Sequence, residues 1–221
     1  ICRYYLYLLS QIITFLFPMP FRKLHDAIKE KLDLFEIATA TPFQKSSIPL
    51  IKSGANMYCM APKGSGKTTT LILTTLQKLK CEEVGAAPRA IILVENRERA
   101  FELEEAILKF TRHTTLRVYT CDDKFHIEVL TSEIFEGVDI LIATPKTVCK
   151  LLLSEGLNMT QLKIFNIEDA EFLAKSTTYT DLMAITQSIH KCQYVIYSEK
   201  TNPMLKRLET QFMQYSKTVA L

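Results

Sequence analysis

Ala61-Pro62-Lys63-Gly64-Ser65-Gly66-Lys67-Thr68-Thr69-Thr70 lies between an apolar, strand-like run at 56–60 and a helix-forming run at 67–80. A glycine-rich turn that leaves a strand and opens a helix with Lys-Thr is the pattern of a phosphate-binding loop. Gly64 and Gly66 let the backbone turn so that its N–H groups face phosphate oxygens. Lys67 brings an ammonium to the β and γ phosphates, and the Thr68 hydroxyl can ligate Mg²⁺. The helix that follows directs its positive end at the anion. Pro62, Lys63, Ser65 and Thr69 complete the loop. The expected ligand is a nucleoside triphosphate, ATP, with Mg²⁺. A chance lysine in a Gly-rich turn would need neither the strand before it nor the helix after it.

Outward from the loop the chain alternates. Strand-like runs fall at 90–95, 115–120, 138–143, 163–167, 193–198 and 217–221, with helical segments at 97–111, 145–154, 179–190 and 203–214 between most of them. Upstream, helical periodicity covers 22–34, and Thr41-Pro42 opens a further helix that Gly54 closes. Several strands are apolar almost throughout, as strands covered on both faces must be. The expected fold is α/β: a parallel sheet covered by helices on both faces, as one domain over 21–221.

Residues 1–20 read differently. The apolar stretch from Tyr4 to Phe17 is short for a membrane span and has no small-residue cleavage site after it. Met19 opens an ordinary amphipathic start. The preferred reading is that 1–18 stands outside the folded domain, as translated upstream sequence. A membrane anchor and a docked helix are the alternatives, and no stable membrane association is expected.

The net charge of +3 neither demands nor excludes a nucleic-acid partner, so any basic surface must be local. None of the six cysteines forms a close pair, and none of the four histidines stands at ligand spacing to another His or Cys. Buried free thiols, a reducing cytoplasm and no protein-ligated zinc are expected.

An alanine-first loop of this form resembles that of the DEAD-box RNA helicases, and further blocks follow in that family's order. Thr41-Pro42-Phe43-Gln44 looks like the Q motif, and Gln44 offers a donor and an acceptor to the adenine edge. Phe21 lies near the family's upstream aromatic. Glu95-Asn96-Arg97-Glu98-Arg99-Ala100 stands where the family has PTRELA; Arg97, Glu98 and Ala100 match, whereas Glu95, Asn96 and Arg99 do not. Thr144-Pro145-Lys146 resembles the TPGR block with lysine for glycine. Glu168-Asp169-Ala170-Glu171 replaces the DEAD tetrapeptide, and Ser198-Glu199-Lys200 replaces SAT. The family's Gly-Gly element, expected near Tyr119–Asp122, is missing.

The likeness spans about 21–221 and is specific to the first of the family's two RecA-like domains. The chain is similar also to small helicase-like proteins of flavobacteria that consist of this one domain. The resemblance implies adenine-nucleotide binding through Phe21, Thr41, Gln44 and the loop, with Mg²⁺ on Thr68 and Glu168. It implies Lys67, Glu168 and Asp169 as catalytic groups. Asn96, Arg97, Thr144 and Lys146 are the implied contacts to the backbone of single-stranded RNA. Asp169 is one methylene shorter than the family's water-positioning Glu, and a second RecA-like domain would have to come from a partner. Two functions follow as expectations: an ATP-dependent RNA-binding enzyme with very slow unaided turnover, or a nucleotide-gated module that binds RNA or protein and hardly turns over.

Overall fold

The computed structural model describes residues 20–221. The readings of residues 1–18 and of the Met19 start lie outside the described residues. Seven parallel strands form one sheet in the order β3-β4-β2-β5-β6-β1-β7. They are β1 (Met57–Met60), β2 (Ala90–Leu93), β3 (Val118–Thr120), β4 (Ile140–Ala143), β5 (Ile164–Ile167), β6 (Gln193–Ser198) and β7 (Lys217–Ala220). Eight α-helices connect or precede them among the described residues: α1 (Asp26–Leu34), α2 (Pro42–Lys52), α3 (Lys67–Leu79), α4 (Arg97–Thr111), α5 (Ile127–Glu136), α6 (Pro145–Leu153), α7 (Ser176–Gln187) and α8 (Pro203–Leu208). The expected parallel sheet, covered on both faces, is the observed one.

Strand periodicity divides the core into two layers. Ile92, Ile142, Ile164 and Val195 point to one face, where Leu71, Leu76, Leu103 and Ile107 of α3 and α4 cover them together with α1 and α2. Ile91, Leu141, Phe165 and Ile196 point to the other, under Leu130, Leu151, Leu182 and Leu205 of α5 to α8. The inner strands β2, β4, β5 and β6 are buried on both sides, so polar residues within them are few. Asn166 in the central strand β5 donates to Thr75 Oγ1 of α3 at 2.9 Å.

Local departures from the expected elements have physical causes. The helix read over 22–34 is a 3₁₀ turn, Pro20–Lys23, followed by α1. The break falls at His25, whose backbone N–H donates to Gln77 Oε1 of α3 at 2.7 Å. Helix α5 was not expected; its density of β-branched residues obscures the helical spacing of the buried Leu130 and Ile134. Helix α8 ends at Leu208 rather than 214, because the chain turns back there: Met213 N–H donates to Leu208 O at 3.0 Å and its side chain is buried. Among the described residues no helix is long and apolar enough to cross a membrane.

In a parallel sheet all strands end on one edge. The segments after β1, β2, β4, β5 and β6 therefore meet there, and these are the segments that carry the sequence motifs.

Candidate nucleotide site

The loop between β1 and α3 carries left-handed backbone at Gly64 (φ +78°) and Gly66 (φ +93°), which glycine adopts without a steric penalty. Gly66 has a second constraint, since a Cβ there would meet Gln44 Nε2 at 2.7 Å. Gln44 and Thr41 form a capping box at the start of α2. Gln44 N–H donates to Thr41 Oγ1 at 3.2 Å, and Thr41 N–H donates to Gln44 Oε1 at 3.0 Å. The Thr41 hydroxyl then donates to Ser65 O at 2.7 Å, which ties that cap to the phosphate loop. Lys67 is 7% exposed; its ammonium donates to Ala61 O at 2.7 Å and Pro62 O at 3.3 Å.

A cavity of about 530 Å³ opens over the loop, lined by Lys63, Gly64, Gly66, Lys67, Thr68 and Thr69, with Arg99 and Asp169. Six of the expected nucleotide-binding residues thus share one wall. Thr41, Pro62 and Ser65 support it through the loop's own hydrogen bonds. Phe21 is placed elsewhere: it is buried in the core layer with Leu24, Ile28 and Phe43 rather than in the lining of this cavity. One lone pair of the Gln44 amide oxygen is already taken by the helix cap.

The acidic block lies opposite. Glu168 follows β5 and is 2% exposed; the Thr68 hydroxyl donates to its Oε1 at 2.9 Å. Sequence comparison treats Arg99 as a mismatch, yet its side chain completes this group. Arg99 Nε donates to Glu168 Oε2 at 3.0 Å, and Nη2 donates to Glu168 Oε1 at 2.6 Å and to Thr68 Oγ1 at 3.2 Å. Nη1 donates to Glu102 Oε2 at 2.9 Å. Burial pushes the Glu168 carboxyl up from the usual carboxylate range, against the Arg99 bonds that favour its ionised form. Burial alone would favour loss of the Arg99 proton, and the bonds to Glu168 more than reverse this. The oxygens expected to hold Mg²⁺ are therefore paired with an organic cation. Mg²⁺ would need them at about 2.1 Å, and it does not fit while the guanidinium bonds to both.

Asp169 follows in left-handed backbone (φ +46°), an uncommon conformation for a non-glycine residue, and lines the cavity. Glu171 accepts a hydrogen bond from Glu199 N–H, and Ala61 N–H donates to Ser198 O at 3.1 Å. The three motif-bearing strand ends are thus linked to one another.

A second cavity of about 700 Å³ lies along the same edge and holds all four expected nucleic-acid residues, Asn96, Arg97, Thr144 and Lys146. Three of them already have local work. Asn96 Oδ1 accepts from Arg99 N–H at 2.9 Å as the cap of α4. Thr144 caps α6. Arg97 forms a two-pronged pair with Asp122, both bonds 2.6 Å, over the Phe101 ring. The Asp122 pairing occupies the chain segment where a Gly-Gly element was expected. Arg97, Lys124 and Lys146 face Glu95, Glu98, Asp123 and Asp181 across this cavity, so it is not a basic groove.

A family model described as DEAD/DEAH box helicase matches residues 41–208. The pre-mRNA-processing ATP-dependent RNA helicase PRP5 of Lodderomyces elongisporus is 33% identical over 129 residues, which are 57% of this chain and 13% of that protein. The DEAD-box ATP-dependent RNA helicase CshA of Streptococcus pneumoniae is 26% identical over 176 residues, 79% of this chain and 33% of its own length. The chain thus spans a third or less of these curated relatives. Among solved structures, a DEAD box protein from the hyperthermophile Methanococcus jannaschii superposes with a TM-score of 0.82 at 20% identity, covering 90% of this chain and 54% of that one. A yeast Dbp5 variant bound to Nup159, a Gle1 variant, IP6 and ADP gives 0.78 at 20% identity, covering 90% and 52%. These structural likenesses carry the fold.

Proposed function

Since the chain belongs to the DEAD/DEAH box helicase family, we propose that its single RecA-like domain binds ATP on the 61–69 loop and contacts single-stranded RNA weakly along the adjoining cleft. The observation that carries this reading is the cavity whose wall is the phosphate loop and whose far side is Arg99 and Asp169, with the buried Glu168 bonded to Thr68. Backbone N–H groups, Lys67 and the start of α3 suit the phosphates. Gln44, pinned beside Gly66, favours adenine over guanine.

Hydrolysis by this domain unaided is slow. A nucleophilic water must be held in line by Asp169, which is a methylene shorter than the family's Glu, and a displacement of about 1 Å costs on the order of 100-fold. An arginine finger contributes roughly 10³–10⁵ in related enzymes and would come from a second RecA-like domain, whichever chain carries it. RNA contact is weak and dominated by the phosphate backbone, because the second cavity balances cations with carboxylates. The cytoplasmic setting is proposed from the five free cysteines of the described residues.

A second reading, a nucleotide-gated interaction module, is favoured by the pairing of Glu168 with Arg99. Phosphate release from ATP, with and without single-stranded RNA, separates the two. Turnover on the order of 10⁻³ s⁻¹ or slower, unmoved by RNA, is expected of the gated module. A clear RNA-dependent rise supports a helicase-type enzyme instead.

A further inference from the structure

Neither the phosphate-loop pattern nor the acidic block requires a cation at Arg99. Its backbone is fixed in the first turn of α4 by the Asn96 cap, and Glu102 one turn on steadies Nη1. The guanidinium reaches across to bind Thr68 Oγ1 and both oxygens of Glu168 and forms part of the cavity wall beside Lys67. Resting on the reading that this loop binds ATP, we propose that Arg99 is the resident counter-cation of the site and takes the place of the divalent ion, so that ATP binds without a metal.

The chemistry of the group supports this. A guanidinium keeps its charge at any relevant pH, and its planar fork suits phosphate oxygens as well as carboxylates. Of its five N–H groups, Glu168, Thr68 and Glu102 engage four, which leaves one on Nη1 for an incoming phosphate. Glu168 is neutralised in advance, so its charge does not repel the triphosphate. A divalent ion would have to share its two oxygens with a cation already bonded to them at 2.6 and 3.2 Å.

The test is calorimetric titration of the full chain with ATP, in excess EDTA and again in excess Mg²⁺, repeated for Arg99→Leu and Arg99→Lys. The unaltered chain is expected to bind ATP with dissociation constants that agree to within about threefold in the two media. Arg99→Leu should lose about 10- to 100-fold in EDTA, the worth of one charge-assisted contact, and recover when Mg²⁺ reaches the vacated Thr68 and Glu168. Arg99→Lys keeps a cation against the buried carboxylate and guards against loss of fold in the leucine variant; it should bind weakly in EDTA and regain affinity with Mg²⁺. Affinity of the unaltered chain that collapses in EDTA, or a Mg²⁺ dependence identical in all three proteins, overturns the proposal while leaving ATP binding intact. Absence of ATP binding in both media overturns the proposal and the nucleotide reading together.

Discussion

Thr41 shows how much one hydroxyl carries. It accepts from Gln44 N–H, which starts α2, and donates to Ser65 O, which holds the phosphate loop against that helix. Replacing it with alanine removes a cap and a loop bond at once, for roughly 1–2 kcal/mol. In a domain of this size the melting temperature should fall by about 2–8 °C. ATP affinity should fall as well, because Ser65 and Gly66 lose their brace, and Thr41→Ser should restore both; an unchanged melting temperature would show the cap to be redundant. Thr41 was legible in the sequence as a helix cap because a threonine followed by proline is a local pattern, whereas the reciprocal bond from Thr41 N–H to Gln44 Oε1 was not read there. Arg99 was not legible. Its partners Thr68 and Glu168 are 31 and 69 residues away, and only the fold brings them together. Phe21, which lies near the family's upstream aromatic without matching its spacing to Gln44, is packed into the core layer.

Elements were readable wherever their period was clean. The apolar runs that became β2, β4, β5 and β6 could only be strands buried on both faces. Helix α5 escaped notice because Ile127, Val129, Thr131 and Ile134 suit a strand as well as a helix, and the register of Leu130 and Ile134 decides the matter only once a sheet lies beneath them. The strands are also fastened at the edge opposite the site. Asp139, just before β4, is fully buried and accepts from Arg89 Nε at 3.0 Å and Nη2 at 2.7 Å, and from Arg117 Nε at 3.0 Å. Burial alone would raise its carboxyl, and the bonds from Arg117, Arg89 and Val84 N–H hold it below the usual range, so its contribution persists at neutral pH and is lost as the pH falls into the acid range. Asp139→Asn strands the buried Arg89 and should cost about 3–5 kcal/mol in urea unfolding. ATP affinity should be unchanged in the folded variant, because this cluster sits at the far end of the strands. A loss under about 1 kcal/mol would mean that solvent reaches Arg89 after all.

At the scale of the whole molecule, parallel topology explains why motifs scattered over 160 positions of sequence act as one site. Every strand delivers its following loop to the same edge, and the strand ends there are linked by Ala61 to Ser198, Thr68 to Glu168, and Glu171 to Glu199. The order of the blocks made that edge foreseeable. The balance of charge in the second cavity was not, since Asp123, Asp181 and Glu95 come from three separate segments. The central claim, that the 61–69 loop is an adenine-nucleotide site, is tested most directly by titrating the chain with ATP and with GTP in a calorimeter, beside Lys67→Ala. ATP should bind at least about tenfold more tightly than GTP, a difference of about 1.4 kcal/mol, and Lys67→Ala should abolish binding of both. Equal affinity for the two nucleotides, or ATP binding that survives the loss of Lys67, would contradict it.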